Sequence, residues 1–107
     1  VTRVECDTIC RYLITNHSTK NKAALSKQLE AAFSCKGTEI RKCINALRSE
    51  GVPICSCADG YFYSDNADDI SKTVKQLHSR VSKIEQAKDG LEQFILAERR
   101  TKDAEKN

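Results

Sequence analysis

Along the first half of the chain, apolar residues recur every three or four positions, the spacing that lines one face of an α-helix. In residues 4–16 they are Cys6, Ile9, Cys10, Leu13 and Ile14, and the polar run Asn16-His17-Ser18-Thr19 ends the pattern. Residues 22–33 predict a second amphipathic helix, with Ala24, Leu25, Leu29, Ala32 and Phe33 turned inward. Ser34-Cys35-Lys36-Gly37-Thr38 reads as a short turn whose hydroxyls cap the next helix. That third helix, Thr38 to Glu50, directs Ile40, Cys43, Ile44 and Leu47 to the core. Gly51 follows where a helix end calls for positive φ.

Beyond Gly51 the period changes from helical to alternating. Val52-Pro53-Ile54-Cys55-Ser56-Cys57 and Tyr61-Phe62-Tyr63-Ser64 are short β-prone runs on either side of Ala58-Asp59-Gly60. Asp-Gly is a strong hairpin signal, because a type I′ turn needs positive φ at both central residues. With Asp59-Gly60 as those residues, Ala58 pairs with Tyr61 and Ser56 with Tyr63, while Cys57 and Phe62 share the other face. The expected fold class is therefore mainly α with a small β-hairpin: a winged helix-turn-helix in residues 1–64.

From Ala67 the helical period returns, with Asp65-Asn66 as cap candidates and Asp68 and Asp69 favouring the dipole of the first turn. Ile70, Val74, Leu77, Val81, Ile84, Leu91 and Ile95 keep an a/d register over about four heptads, which suggests a coiled coil. Val74, Val81 and Ile95 at a, with Leu77 and Leu91 at d, favour two parallel strands, and Lys88 at a costs stability while fixing register. The first two turns, around Ile70, Val74 and Leu77, are expected to pack on the Tyr61 and Tyr63 face. Val81, Ile84, Lys88, Leu91 and Ile95 are then the dimerisation residues of a homodimer, since an exposed apolar stripe seeks a partner. Gly90 is the weak point, a place for a kink or an end. The expected division is a domain over 1–64, a dimerisation helix over 65–98 and a disordered tail over 99–107.

Charge sharpens this picture more than composition does. Residues 1–64 hold nine Lys/Arg against six Asp/Glu, whereas residues 65–107 hold nine of each, so the whole excess of +3 lies on the N-terminal part. Such a distribution suits an encounter with a polyanion. One Pro, four Gly and no Trp suit helices on a small scaffold and argue against a β-sandwich. No apolar run approaches the ~20 residues of a membrane span, and Val1 to Asn16 shows no signal-peptide h-region. The six cysteines, Cys6, Cys10, Cys35, Cys43, Cys55 and Cys57, are accordingly expected to be reduced thiols in a cytoplasmic protein, serving as small hydrophobes. Zinc is disfavoured, because Cys55 and Cys57 lie along a strand and not on a knuckle. His17 and His78 are isolated among polar neighbours. With no Gly-rich phosphate loop, nucleophile elbow or His–carboxylate pattern, the chain is expected to be no enzyme and to need no cofactor.

Glu39-Ile-Arg-Lys-Cys-Ile-Asn-Ala-Leu-Arg-Ser-Glu-Gly-Val-Pro-Ile-Cys-Ser, followed by Asp-Gly-Tyr-Phe-Tyr, resembles the winged-helix modules of biotin-operon-repressor-like regulators. It is also similar to small winged-helix proteins of phages and prophages of Gram-positive bacteria. There a recognition helix ends in Leu-Arg-x-x-Gly, enters a Pro-Ile strand and returns through a Gly-Tyr strand. The resemblance spans about residues 21–64; the ligand-binding and catalytic domains of the larger regulators have no counterpart here, so no effector is carried over. It implies a transcriptional regulator whose third helix enters the major groove of double-stranded DNA. The outward residues of that helix are Thr38, Glu39, Arg41, Lys42, Asn45, Arg48 and Ser49; Arg suits guanine and Asn suits adenine. Lys22 and Lys36 stand at helix starts, where phosphates approach. Glu39 opposes this, and the wing tip Ala58-Asp59-Gly60 has no cation for a minor groove. A second reading therefore stays open: an adaptor that binds a protein of the replication or transcription machinery.

Overall fold

Three short helices, an antiparallel hairpin and one long helix follow one another along the chain. The computed structural model describes residues 3–105, with side-chain surroundings for 5–102. The elements are α1 (Arg3–Asn16), a 3-10 turn (Lys20–Lys22), α2 (Ser26–Phe33), α3 (Gly37–Ser49), β1 (Ile54–Cys57), β2 (Gly60–Tyr63) and α4 (Ala67–Glu105). They form two units, the first ending at Thr73 and the second beginning at Val74. The first unit thus takes in the start of α4 and does not stop at Ser64.

Its core is built from the predicted faces. Cys6, Ile9 and Leu13 of α1, Leu29 of α2, and Ile40, Cys43, Ile44 and Leu47 of α3 are buried together with Ala24 and Ile54. Ile14 and Leu25, expected inside, are 44 % and 50 % exposed. Leu25 lies outside because α2 begins at Ser26 and not at residue 22. The segment before it is extended, and its backbone is committed elsewhere. Ala24 N–H donates to the Tyr61 carbonyl at 2.7 Å, and Tyr61 N–H returns a bond to the Ala24 carbonyl at 2.8 Å. This bridge ties the chain ahead of α2 to β2.

The bridge also accounts for a shifted hairpin. The register is Ile54↔Tyr63, Cys55↔Phe62, Ser56↔Tyr61 and Cys57↔Gly60, so Ala58 and Asp59 make the turn. Ser56 therefore faces Tyr61 and not Tyr63, and Cys55, not Cys57, is buried opposite Phe62. Neither turn residue has positive φ, which removes the type I′ turn; Gly60, at φ +122°, carries that conformation instead. A Cβ on Gly60 would stand 2.1 Å from the Ala24 carbonyl oxygen. Glycine is thus required where β2 passes Ala24.

Caps differ from expectation as well. Lys36 is the N-cap of α3 and makes no side-chain capping bond. Ser34 instead closes α2 in the left-handed region, at φ 50° and ψ 47°. Gly51 adopts φ +89° as the sequence predicts. At α4, Asn66 Oδ1 accepts from the Asp68 and Asp69 amides at 2.8 and 3.3 Å. Ser64 Oγ donates to Asp69 Oδ2 at 2.9 Å. The line of α4 that turns inward runs through half-buried Asp69 and Ile70 to buried Thr73, whose Oγ1 accepts from Ser56 N–H at 3.1 Å. Val74, expected in that contact, lies one residue further round the helix and is 58 % exposed.

The long helix runs through Gly90 and past Glu98 to Glu105, where the pattern predicted a possible kink and a disordered tail. Helix-favouring residues and an i,i+4 pair, Lys102 with Glu98 at 3.7 Å, suit this continuation. Residues 106 and 107 of the expected tail, like residues 1 and 2, lie outside the described region. No described helix is long and apolar enough to cross a membrane.

Candidate nucleic-acid interface

α3 divides sharply into two faces. Ile40, Cys43, Ile44 and Leu47 are buried to 1 % exposure or less, while Thr38, Arg41, Lys42, Asn45 and Ser49 are exposed on the opposite side. Helical spacing of three and four brings Thr38, Arg41, Lys42 and Asn45 onto one surface. Their chemistry there is a set of hydrogen-bond donors and cations with no carboxylate among them. Lys36 is exposed at the N-terminal end of the same helix. The first four N–H groups of any helix lack intrahelical partners, so that end favours an anion.

Glu39 is half-buried, on the flank of α3 toward α1. It lines a shallow cavity of about 230 Å³ with Glu5, Thr8 and Ile9 of α1 and with Phe33, Ser34 and Cys35. Burial, then Glu39, Glu30 and Glu5, push the Cys35 thiol up from its ordinary value. The carboxylate that opposed a DNA role in the sequence is therefore directed to one side of the cationic surface.

Arg48 and Lys22 are not part of that surface. Arg48 Nε donates to the Ile54 carbonyl at 2.7 Å, and its guanidinium stands over the Tyr61 ring, 5.8 Å from the centroid. Its side chain is drawn back to brace α3 against the hairpin, because a carbonyl and an aromatic face lie within reach of the last turn. Lys22 is exposed, but it sits in the 3-10 turn and not at a helix start; its carbonyl partners His17 Nδ1. The hairpin turn, Ala58-Asp59, is exposed and carries an acid.

No protein-family model, curated protein or solved structure matches the chain.

Within the second unit, the expected dimerisation residues Val81, Ile84, Leu91 and Ile95 are exposed, between 48 % and 69 %. Lys88 is satisfied on its own helix, 3.0 Å from Asp89 and 3.3 Å from Glu92. Phe94 and Leu96, which the a/d register passes over, widen the apolar surface near Leu91 and Ile95. Phe94 follows Leu91 by three positions, a spacing that already marks it as a neighbour. Among the described residues, no three His, Cys, Asp or Glu side chains converge to hold a metal.

Proposed function

We propose that the protein is a DNA-binding regulator, with a winged helix-turn-helix as its first unit and a homodimeric helix as its second. What carries the DNA reading is the exposed surface of Thr38, Arg41, Lys42 and Asn45 on α3, with Glu39 of the same helix half-buried on the flank toward α1. The positive excess on residues 1–64 supports it. The order of three helices and a hairpin supports the winged-helix assignment, as does the bridge from Ala24 to β2. In this reading α3 lies in the major groove, Arg41 and Asn45 meet base edges, and Lys36, Lys42 and Thr38 meet phosphates. Arg48 supports the helix from behind. The exposed line Val81, Ile84, Leu91 and Ile95 supports pairing with a second copy, which sets two recognition helices on half-sites about 34 Å apart or a multiple of it. Such a protein works in the cytoplasm, phage and prophage regulators being the nearest functional analogy.

The test is duplex binding to fragments of the protein's own genomic neighbourhood across a salt series. Log affinity should fall with log salt at roughly −4 or steeper, since each neutralised phosphate contributes about −0.9. Arg41→Ala or Asn45→Ala should relax sequence preference by ~1–3 kcal/mol, whereas Lys36→Ala should weaken every duplex alike. The acidic hairpin turn favours the adaptor reading instead. A flat salt dependence would decide for that adaptor, whereas equal effects of all three substitutions on every probe would remove Arg41 and Asn45 as base-reading residues.

A further inference from the structure

We propose that Cys6 and Cys43 are a reversible disulfide pair that staples α1 to α3. Their sulfur atoms are 2.7 Å apart, although the residues are 37 positions apart in sequence. Carbon atoms in good van der Waals contact keep about 3.5–4.0 Å and sulfur is larger, so this is closer than ordinary packing brings two thiols. A disulfide bond measures about 2.05 Å, so closing it moves the sulfurs by roughly 0.7 Å in total. Neither side chain is on a mobile loop: both belong to helices held by the same core of Ile9, Leu13, Ile40, Ile44 and Leu47. The fold therefore keeps the two thiols together in the reduced protein and does not need to search for the pairing.

Access to the pair is unequal. Cys6 is 8 % exposed, at the edge of the core, and Cys43 is 1 % exposed. Burial and the facing Cys6 thiol push Cys43 up to about 12, which keeps it protonated. A reagent from solvent thus reaches Cys6 first. With a small-molecule disulfide such as oxidised glutathione as the oxidant, the Cys6 sulfur attacks one glutathione sulfur. The glutathione S–S bond breaks, a mixed disulfide forms on Cys6, and one glutathione thiol leaves with the Cys6 proton. The Cys43 sulfur then attacks the Cys6 sulfur, forming the protein disulfide, and the second glutathione leaves with the Cys43 proton. Two electrons pass from the cysteine pair to glutathione, and excess thiol reverses both steps.

The cross-link encloses α2 and both its flanking turns. Removing that much freedom from the unfolded chain raises stability as the enclosed loop lengthens. Cys43 also adjoins Lys42, so the staple would fix the helix that carries the exposed cationic surface. The pairing itself does not depend on that surface meeting DNA.

The decisive experiment equilibrates the full-length chain across a series of reduced-to-oxidised glutathione ratios, alkylates the remaining thiols and maps peptides without reduction. Cleavage before Asp7 separates Cys6 from Cys10, and cleavage after Lys42 separates Cys43 from Cys35. The expected result is a Cys6–Cys43 linkage as the first disulfide to fill, reversed by added thiol. Oxidised protein should melt about 10 °C or more above reduced protein. Cys6→Ala and Cys43→Ala should each abolish that shift, and if either fails to fold, the map of the unaltered chain decides alone. Full alkylation of Cys6 and Cys43 across the series would overturn the proposal. So would prior linkage among Cys10, Cys35, Cys55 and Cys57, or a melting point indifferent to redox state.

Discussion

Two glycines with positive φ differ in what surrounds them, and that difference separates a backbone penalty from a packing one. Gly51, at φ +89°, has nothing within 4 Å of the position a Cβ would take, whereas at Gly60 the Ala24 carbonyl oxygen stands 2.1 Å away. Gly51→Ala should therefore cost about 1–2 kcal/mol, the usual strain of a left-handed alanine. Gly60→Ala should cost clearly more, roughly 3 kcal/mol, because the bridge to Ala24 must also give way. Urea unfolding of both variants checks this, and equal losses would mean that the bridge adjusts freely. Cys43 offers a second residue-scale prediction. Its folded thiol is raised from 9.0 to about 12 by burial first and the Cys6 thiol next. The unfolded chain thus loses that proton at lower pH than the folded chain does. Its contribution to stability is fully present below about pH 9 and is lost as pH rises toward 12. Reduced protein should show a falling urea midpoint above about pH 9, and Cys43→Ala should flatten the fall.

At the scale of elements, α4 tests how far a helix can be stabilised from its solvent side. Gly90 lies inside the helix with no neighbour for a Cβ to strike, so Gly90→Ala should stabilise it by about 1 kcal/mol. Circular dichroism during thermal unfolding reads this directly; no gain would mean that Gly90 serves a close approach the isolated chain does not display. The helices themselves were legible because their faces are periodic: Ile40, Cys43, Ile44 and Leu47 all fall inside. The exposed positions of α3 followed from the same period. What the pattern missed were contacts distant in sequence. Residues 22–25 read as helix because Ala24 and Leu25 fit its spacing, yet Ala24 is held by Tyr61. Asp59-Gly60 read as the turn because local turn chemistry cannot register a carbonyl arriving from before α2. Arg48 read as a DNA contact because nothing in its helix shows the Ile54 carbonyl or the Tyr61 ring that engage it. Val74 read as packed because heptad spacing continues through it, although the inward line follows Thr73.

For the molecule as a whole, the contrast between a buried core and an exposed apolar line on α4 predicts association. The full-length chain should be dimeric at tens of micromolar in sedimentation equilibrium, and a truncation after Arg80, which removes Ile84, Leu91, Phe94 and Ile95, should be monomeric. A monomeric full chain, or a truncation that stays fully dimeric, would remove this helix as the dimerisation element. The Ala24–Tyr61 bridge has a further consequence, in the order of events during folding. Two four-residue strands are marginal on their own. The hairpin gains its third backbone partner only when β2 meets a segment that precedes both α2 and α3. Closing so long a stretch of chain is entropically costly until the intervening helices have collapsed. The helical core of the first unit should thus be assembled while the hairpin is still forming, leaving the docking of Tyr61 against Ala24 among the last steps to native structure.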